Sequence, residues 1–466
     1  KTFDGKTGAP GINTRLMVAL HYLKYQHNLS DEAVVARWVE NPYWQQFSGR
    51  QFFEHEMPID PSSMTRWRKR LGEAGAEAML KGTIEAGVAM KVITTAQASH
   101  VNIDTTVQTK AIRYPTDARL YDRAREGLVV HARKAGLSIK QSYERVGRHL
   151  VMKAGRYAHA RQMKRAKACT RKLRTNLGRV IREVERQGSP AVITRLLTLC
   201  KRIHAQQRHD QAKVYSVHEP EVMCIAKGKA GKKYEFGQKV SVAVTSKGGW
   251  LLGAMCMPGN PYDGHTLQRQ INQMDRLYIK KPAAQTVHVD MGYRGHDYQG
   301  DKTVIVDKRR RGETVKRIWR WMKRRAAVEP TIGHLKSDHR LERNLLKGTV
   351  GDAINALLSA AAMNRMNAAD TQAFGNQFGK YDFSGTFQRG ATYGFAIPEA
   401  GGTMFTDTLL IPIQAAHKKN AEAWINFYYE PEVAATVAAY VNYITPVKGA
   451  QEAMQKIDPS LVTSPA

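Results

Sequence analysis

Three acidic residues, far apart along the chain, carry the strongest chemical signal. Asp104 interrupts the apolar and β-branched run Val101–Asn–Ile–Asp104–Thr–Thr–Val107, and a strand does not tolerate an acid there without a reason. Asp290 ends the strand-like run Thr286–Val–His–Val–Asp290, just before the turn Met–Gly292–Tyr293–Arg294–Gly295. Glu329 sits in Arg325–Ala–Ala–Val–Glu329–Pro–Thr–Ile–Gly–His–Leu–Lys336. There Arg325, Glu329 and Lys336 stand four and seven residues apart, so a helix would show all three on one face. Val328, Ile332 and Leu335 form an adjoining apolar stripe that could seat it. Taken alone, this segment reads equally well as a solvated helix with an i,i+4 ion pair, and acids after strands are common. Sequential strands followed by a helix can instead gather such residues at one sheet edge. Three carboxylates there would hold two Mg²⁺ ions, or Mn²⁺ in their place, about 3.5–4 Å apart. The chemistry would be attack on a phosphodiester by a water or a 3′-hydroxyl, with the flanking cations offsetting the charge that builds up.

The elements that must position these acids follow in order. Residues 11–98 read as short helices, with Leu16, Leu20 and Leu23 at helical spacing and Ser30 as an N-cap ahead of Asp31 and Glu32. After Asp60 and Pro61 comes a short helix with Arg66, Arg68, Lys69 and Arg70, either a DNA-contacting helix or a solvated basic face. From Thr116 to about Asp210 the pattern is helical and heavily basic, which suits an insertion lying along a phosphate backbone. Runs at 221–225, 238–245 and 250–257, separated by Gly-rich turns, predict an antiparallel meander. Residues 303–307 predict a further strand. Ala353–Ile–Asn–Ala–Leu–Leu–Ser–Ala predicts a buried closing helix.

The chain of 466 residues is long enough for two to four domains, and its 42% hydrophobic content is that of a globular protein. A net charge of +31 implies a polyanionic partner, most often nucleic acid. The surplus belongs to the first 366 residues, with 66 basic against 32 acidic side chains; from Asn367 onward the balance is 6 against 9. Cys169, Cys200, Cys224 and Cys256 show no zinc spacing and fit reduced thiols in the cytoplasm. No apolar run is long enough for a membrane span. The opening Lys1–Thr–Phe–Asp has neither an initiator Met nor a signal peptide and reads as a chain cut at its N-terminus.

Several separate motifs recur in the order of one family. Ile103–Asp104–Thr–Thr, Asp290–Met–Gly292–Tyr293–Arg294 and Arg325-x3-Glu329-x6-Lys336 resemble the DDE transposases of bacterial insertion sequences, of the IS-five-like, InsH-type group. Trp38–Val–Glu–Asn–Pro–Tyr–Trp44, Tyr114–Pro–Thr–Asp–Ala–Arg119–Leu–Tyr121 and Gly259–Asn–Pro–Tyr–Asp–Gly–His265 extend the resemblance over roughly residues 11–366. It implies an α/β fold: a ribonuclease H-like catalytic core with a long helical insertion between its first and second strands, after an all-α N-terminal domain. It implies Asp104, Asp290 and Glu329 as the catalytic, metal-holding triad, and Arg325, Lys336, Tyr293, Arg294 and His265 as DNA contacts beside Arg66, Arg68, Lys69 and Arg70. It also implies DNA, as element ends and target, and a homodimer or higher assembly on that DNA. Where the family has a Tyr three residues before its Arg, this chain has Met322.

The last part differs in style. Ala391–Thr–Tyr–Gly–Phe–Ala–Ile–Pro398 through Phe405–Thr–Asp407, Ala421–Glu–Ala–Trp424 and Pro431–Glu–Val resemble the C-terminal part of periplasmic polyamine-binding proteins. The resemblance would make Phe405 and Asp407 the amine contacts of a small α/β fragment, inert because it keeps half of a two-lobed cleft. The expected organisation is therefore 1–98 helical and DNA-binding, 99–366 catalytic with the insertion at about 116–210, 367–390 linker, and 391–466 the foreign fragment. The function so implied is DNA cleavage and strand transfer. The alternatives are a metal-dependent nuclease without transfer and a polyamine-receptor fragment carrying a basic N-terminal fusion.

Overall fold

The computed structural model describes residues 11–188, 190–211, 213–226, 233–278, 284–306, 323–369, 417–441, 447 and 449–457. The chain divides into two units, residues 1–373 and 374–466.

The first unit is built on a mixed sheet. Its central strand β1 (His100–Thr109) pairs antiparallel with β3 (Tyr234–Thr245) and parallel with β5 (Thr286–Val289). β6 (Thr303–Val306) extends the sheet parallel to β5. β2 (Met223–Ala226) pairs with the start of β3 and β4 (Leu251–Met257) with its remainder, so the three runs pair antiparallel as expected, but β2 and β4 lie along the same edge of β3, opposite β1. Val101, Ile103 and Val107 of β1 and Val240, Val242 and Val244 of β3 are buried. Their β-branched side chains suit a pleated surface covered by other elements.

Between β1 and β2 the chain inserts four helices, α6 (Asp117–Lys134), α7 (Glu144–His159), α8 (Met163–Arg186) and α9 (Ala191–Ala205), where the basic helical stretch was expected. Leu128, Leu173, Leu177, Val180, Ile193 and Leu197 share a core of their own. On α8 the cations Lys164, Arg165, Lys167, Arg171 and Lys172 stay exposed, opposite the apolar stripe.

Before β1 come α1 (Thr14–Gln26), α2 (Asp31–Glu40), α3 (Pro42–Phe47), α4 (Ser62–Ala89) and α5 (Thr95–Ala98). Ser30 caps α2, accepting from the backbone of Ala33. Gly72 breaks α4 with φ 66°, a left-handed backbone that favours glycine, and so limits the basic helix to the residues just before it. After β4 come α10 (Leu267–Leu277), α11 (Val328–Ser337) and α12 (Gly348–Ala369). Helix α12 is Ala-rich and buried almost all round, as expected for a helix enclosed in a core. It links the first helices to the sheet: Tyr25 Oη donates to Asn355 Oδ1 at 2.9 Å, and Asn355 Nδ2 donates to Gln108 Oε1 on β1 at 2.9 Å. The N-terminal helices thus lie in the same compact unit as the sheet.

The second unit shows α13 (Lys418–Tyr428), α14 (Pro431–Val441) and α15 (Ala450–Ile457), with Ala434, Ala435 and Ala450 in a small core. Phe405, Asp407, Met322 and the linker from residue 370 on lie outside the described residues. Among the described residues no helix is long and apolar enough to cross a membrane.

One of the expected DNA contacts needs correction. Arg68 is buried, donating to Asp31 Oδ1 at 2.8 Å and to Oδ2 at 2.5 Å, while Lys24 Nζ stands 2.8 Å from the same carboxylate. It clamps α4 to α2 and cannot face DNA, whereas Arg66, Lys69 and Arg70 are exposed. Burial resists ionisation of Asp31, but Arg68 and Lys24 outweigh it and hold the carboxyl well below the usual range. A carboxyl depressed in this way stabilises the fold fully above its unfolded pKa, and the contribution is lost progressively as pH falls from there through the lower folded value. Arg68→Ala, which leaves a part-buried carboxylate short of a partner, should lower stability by roughly 3 kcal/mol at pH 7. In urea unfolding, the gap to the parent should narrow toward pH 3; equal stability at pH 7 would contradict the clamp.

Candidate active site

Asp104 lies mid-strand on β1, and Asp290 follows the last residue of β5. The two strands run parallel with Asn102 opposite His288, so the register carried two residues further sets Asp104 level with Asp290. Asp290 then caps a 3-10 turn, Met291–Tyr293, its Oδ1 accepting from the Gly292 N–H at 2.8 Å. This turn is what the sequence Asp290–Met–Gly292 encodes, a short side chain that folds back on its own backbone.

A third acid, which the spacing arguments did not single out, joins them. Asp263 begins a 3-10 turn leading into α10. Its Oδ1 accepts from Thr105 Oγ1 at 2.8 Å and from Lys239 Nζ at 2.8 Å. A side chain at Gly292 would meet Asp290 Oδ1 at 3.0 Å and Asp263 Oδ2 at 3.3 Å, so both carboxylates face the space that this glycine leaves open. Asp263 stands inside the recognisable stretch Asn260–Pro–Tyr–Asp–Gly–His265, which was the available signal for it.

The electrostatics show that these acids crowd one another. Burial, then the charge of Asp290, pushes the Asp104 carboxyl up to about 6, with Asp263 adding to the effect. The Thr105 N–H, at 2.7 Å, and Arg325, whose Nη1 is 3.9 Å from Asp104 Oδ2, act the other way. Carboxylates held together in a part-buried place, where each raises the cost of charge on its neighbour, are a fitting donor set for a hard divalent cation.

The third expected ligand is placed differently from the other two. Glu329 is exposed in the first turn of α11, a helix that packs on β1. Among the described residues no group of three or more His, Cys, Asp or Glu is gathered closely enough to hold a metal. The single helix face expected for Arg325, Glu329 and Lys336 is also corrected, because α11 begins at Val328 and a turn at 326–327 separates it from Arg325. Pro330 is the reason: a proline ring clashes with the carbonyl four residues back, and is tolerated only in the first turn of a helix. Arg325 nevertheless reaches Asp104, while Asn102 Nδ2 donates to the Arg324 carbonyl at 3.2 Å and ties this segment to β1. Val328 and Leu335 are buried and Ile332 is half-buried, so the apolar stripe seats the helix. Lys336 is half-buried on the same helix.

Of the remaining expected DNA contacts, His265 and Arg294 are exposed beside the acids. Tyr293 is fully buried and cannot meet DNA. Burial pushes its phenol well above the usual value, and Asp104, Asp263 and Asp290 reinforce this, so it acts as a neutral wall behind the carboxylates.

Residues 1–70 match a family described as a transposase domain (DUF772), and residues 202–365 match the transposase DDE domain. Residues 349–462 match the bacterial extracellular solute-binding proteins, overlapping the transposase match along α12. The chain is 56% identical over 160 residues to "Uncharacterized protein ORF8 in nfe locus" of Rhizobium meliloti, covering 34% of this chain and 77% of that protein. No solved structure matches. The chain therefore belongs to the DDE transposases of insertion sequences, with a fragment like a solute-binding protein at its C-terminal end. Asp290 and Glu329 lie inside the matched DDE domain, and Asp104 lies between the two transposase matches.

A raised carboxyl is neutral in the fold up to about pH 6 but ionised in the unfolded chain from about pH 4, so folding is increasingly disfavoured across that interval. With a chelator present, Asp104→Asn should therefore be more stable than the parent by about 1–3 kcal/mol at pH 7.5. Thermal unfolding should show the gain vanishing near pH 4. A destabilised variant at pH 7.5 would contradict the crowding of acids.

Proposed function

We propose that the chain is the transposase of an insertion sequence that cuts element ends and joins the freed 3′-hydroxyls to target DNA, on a ribonuclease H-like core. The observation that carries this reading is the pair Asp104 and Asp290, level on adjacent parallel strands, with Arg325 at 3.9 Å from Asp104. Asp104, Asp290 and Glu329 would hold two Mg²⁺ ions, or Mn²⁺, which when bound stabilise the attacking and leaving oxygens of an in-line displacement. Asp263, held by Thr105 and Lys239, keeps the floor of the site negative. Arg325 and Lys336 bear positive charge where the scissile phosphate passes, offsetting the charge that develops on it. His265 and Arg294 flank the acids and meet the DNA backbone. Arg66, Lys69 and Arg70 grip the duplex outside the site. Cleavage at two element ends calls for a homodimer or larger assembly on DNA.

The C-terminal fragment takes no part in this chemistry, and we read it as an inert remnant. Its expected amine contacts, Phe405 and Asp407, would form one side of a cleft whose other side, in the solute-binding proteins, belongs to a second lobe.

Incubated with supercoiled plasmid and Mg²⁺, the parent chain should nick DNA, and Asp290→Ala and Glu329→Ala should each lose more than roughly 100-fold, since even outer-shell partners of a metal are worth about 10–100-fold. Nicking by both variants at the parent rate would remove the triad. Joined products from a tagged element end separate strand transfer from plain hydrolysis, and their absence alongside normal nicking would leave a nuclease.

A further inference from the structure

A second concave site lies just past the C-terminal end of β1, beyond Asp104. Where β1 ends, Lys110 bridges to Asn344, and the chain turns through Arg113 and Tyr114 into the helical insertion. This junction, the loop at 215–219 and residues 344–347 enclose a cavity of about 830 Å³. A volume of that order suits a small ligand, and a duplex, with a major groove alone about 12 Å wide, is far too large for it.

Its lining has two chemistries. Tyr114 and Tyr215 both pack against Phe236, with ring centroids 5.5 and 5.4 Å apart, and so make an aromatic wall. Tyr114 is 61% exposed, an unusual position for an aromatic ring that only fills a core. Around this wall stand Arg113, Arg119 and Lys347, all exposed and none with an acidic partner among the described residues. The acids of the same lining are already committed: Asp122 to Arg125, Glu126 to Arg123 and Glu219 to Lys110. Aromatic faces stack on bases that are not paired, and free cations beside them take up phosphates.

We propose that this cavity binds one or two unpaired nucleotides of a DNA strand. A base would lie on Tyr114 and Tyr215, with the backbone held by Arg113, Arg119 and Lys347. The inference rests on the reading of the chain as a DNA-cutting enzyme and adds a second point of contact to it. Asp104 and Lys110 are six residues apart, so about 20 Å along an extended strand. That is about six base steps of duplex. A strand engaged at the acids would thus present nucleotides at the cavity a few positions from the cut.

The test is fluorescence anisotropy with the full chain in chelator, using a labelled single strand of thymidines and a blunt duplex of equal length. Tyr114→Ala should weaken single-strand binding about 10-fold, the weight of one base stacked on a ring, and leave duplex binding unchanged. Tyr114→Phe should restore it, and the double variant Arg113→Ser, Lys347→Ser should weaken it and flatten its salt dependence. Because Tyr114 is exposed, the variants should unfold like the parent. Unchanged single-strand binding by Tyr114→Ala, or equal loss on duplex and single strand, overturns the site while leaving the DNA reading intact. A parent chain that binds neither probe at low salt overturns both.

Discussion

The parallel pairing of β1 with β5 is the constraint on which the site depends. The two strands are separated in sequence by five α-helices and three antiparallel strands, yet their register leaves Asp104 and Asp290 abreast. A shift of one residue would turn one carboxylate to the opposite face of the sheet. The register is fixed from both sides: Val101, Ile103 and Val107 are buried, and β3 holds β1 antiparallel along nine residue pairs, Val101 to Thr109. Once that pairing is set, Asp263 arrives through Thr105 and Lys239, and Arg325 through the segment tied to Asn102.

The helices outside the sheet serve this constraint in different ways. Helix α12 fills the core and connects the first helices to β1 through Tyr25, Asn355 and Gln108. The insertion keeps a core of its own, so its exposed basic face costs the sheet nothing in packing. Raising the Asp104 carboxyl to about 6 is a local destabilisation, sustained because the surrounding strands are well buried.

Much of this was legible in the sequence. The strands, the insertion and the buried closing helix follow from periodicity and turn residues, and Asp104 declares itself as an acid in an apolar run. What was not legible has physical causes. A basic run cannot tell which cation turns inward, and Arg68 does so because Asp31 waits on another helix, 37 residues away in sequence. Tyr293, next to a catalytic-looking turn, gives no sign that its ring points into the core. Asp263 sits in a loop, where no periodicity marks an acid as functional. Pro330 did carry the signal that the helix must start late, but the regular spacing of Arg325, Glu329 and Lys336 outweighed it. The basic cavity is assembled from segments as far apart in sequence as Arg113 and Lys347, and no local pattern announces it.

Phosphoryl transfer at this site requires Asp104, Asp290 and Glu329 to share a bound cation. Localised cleavage by Fe²⁺ in place of Mg²⁺, with ascorbate and peroxide, tests it most directly, because the radicals cut only the backbone beside the metal. Cuts are expected near residues 104, 290 and 329 in the parent chain, suppressed by excess Mg²⁺. Cuts near 104 and 290 with none near 329, or cuts only elsewhere, would contradict it.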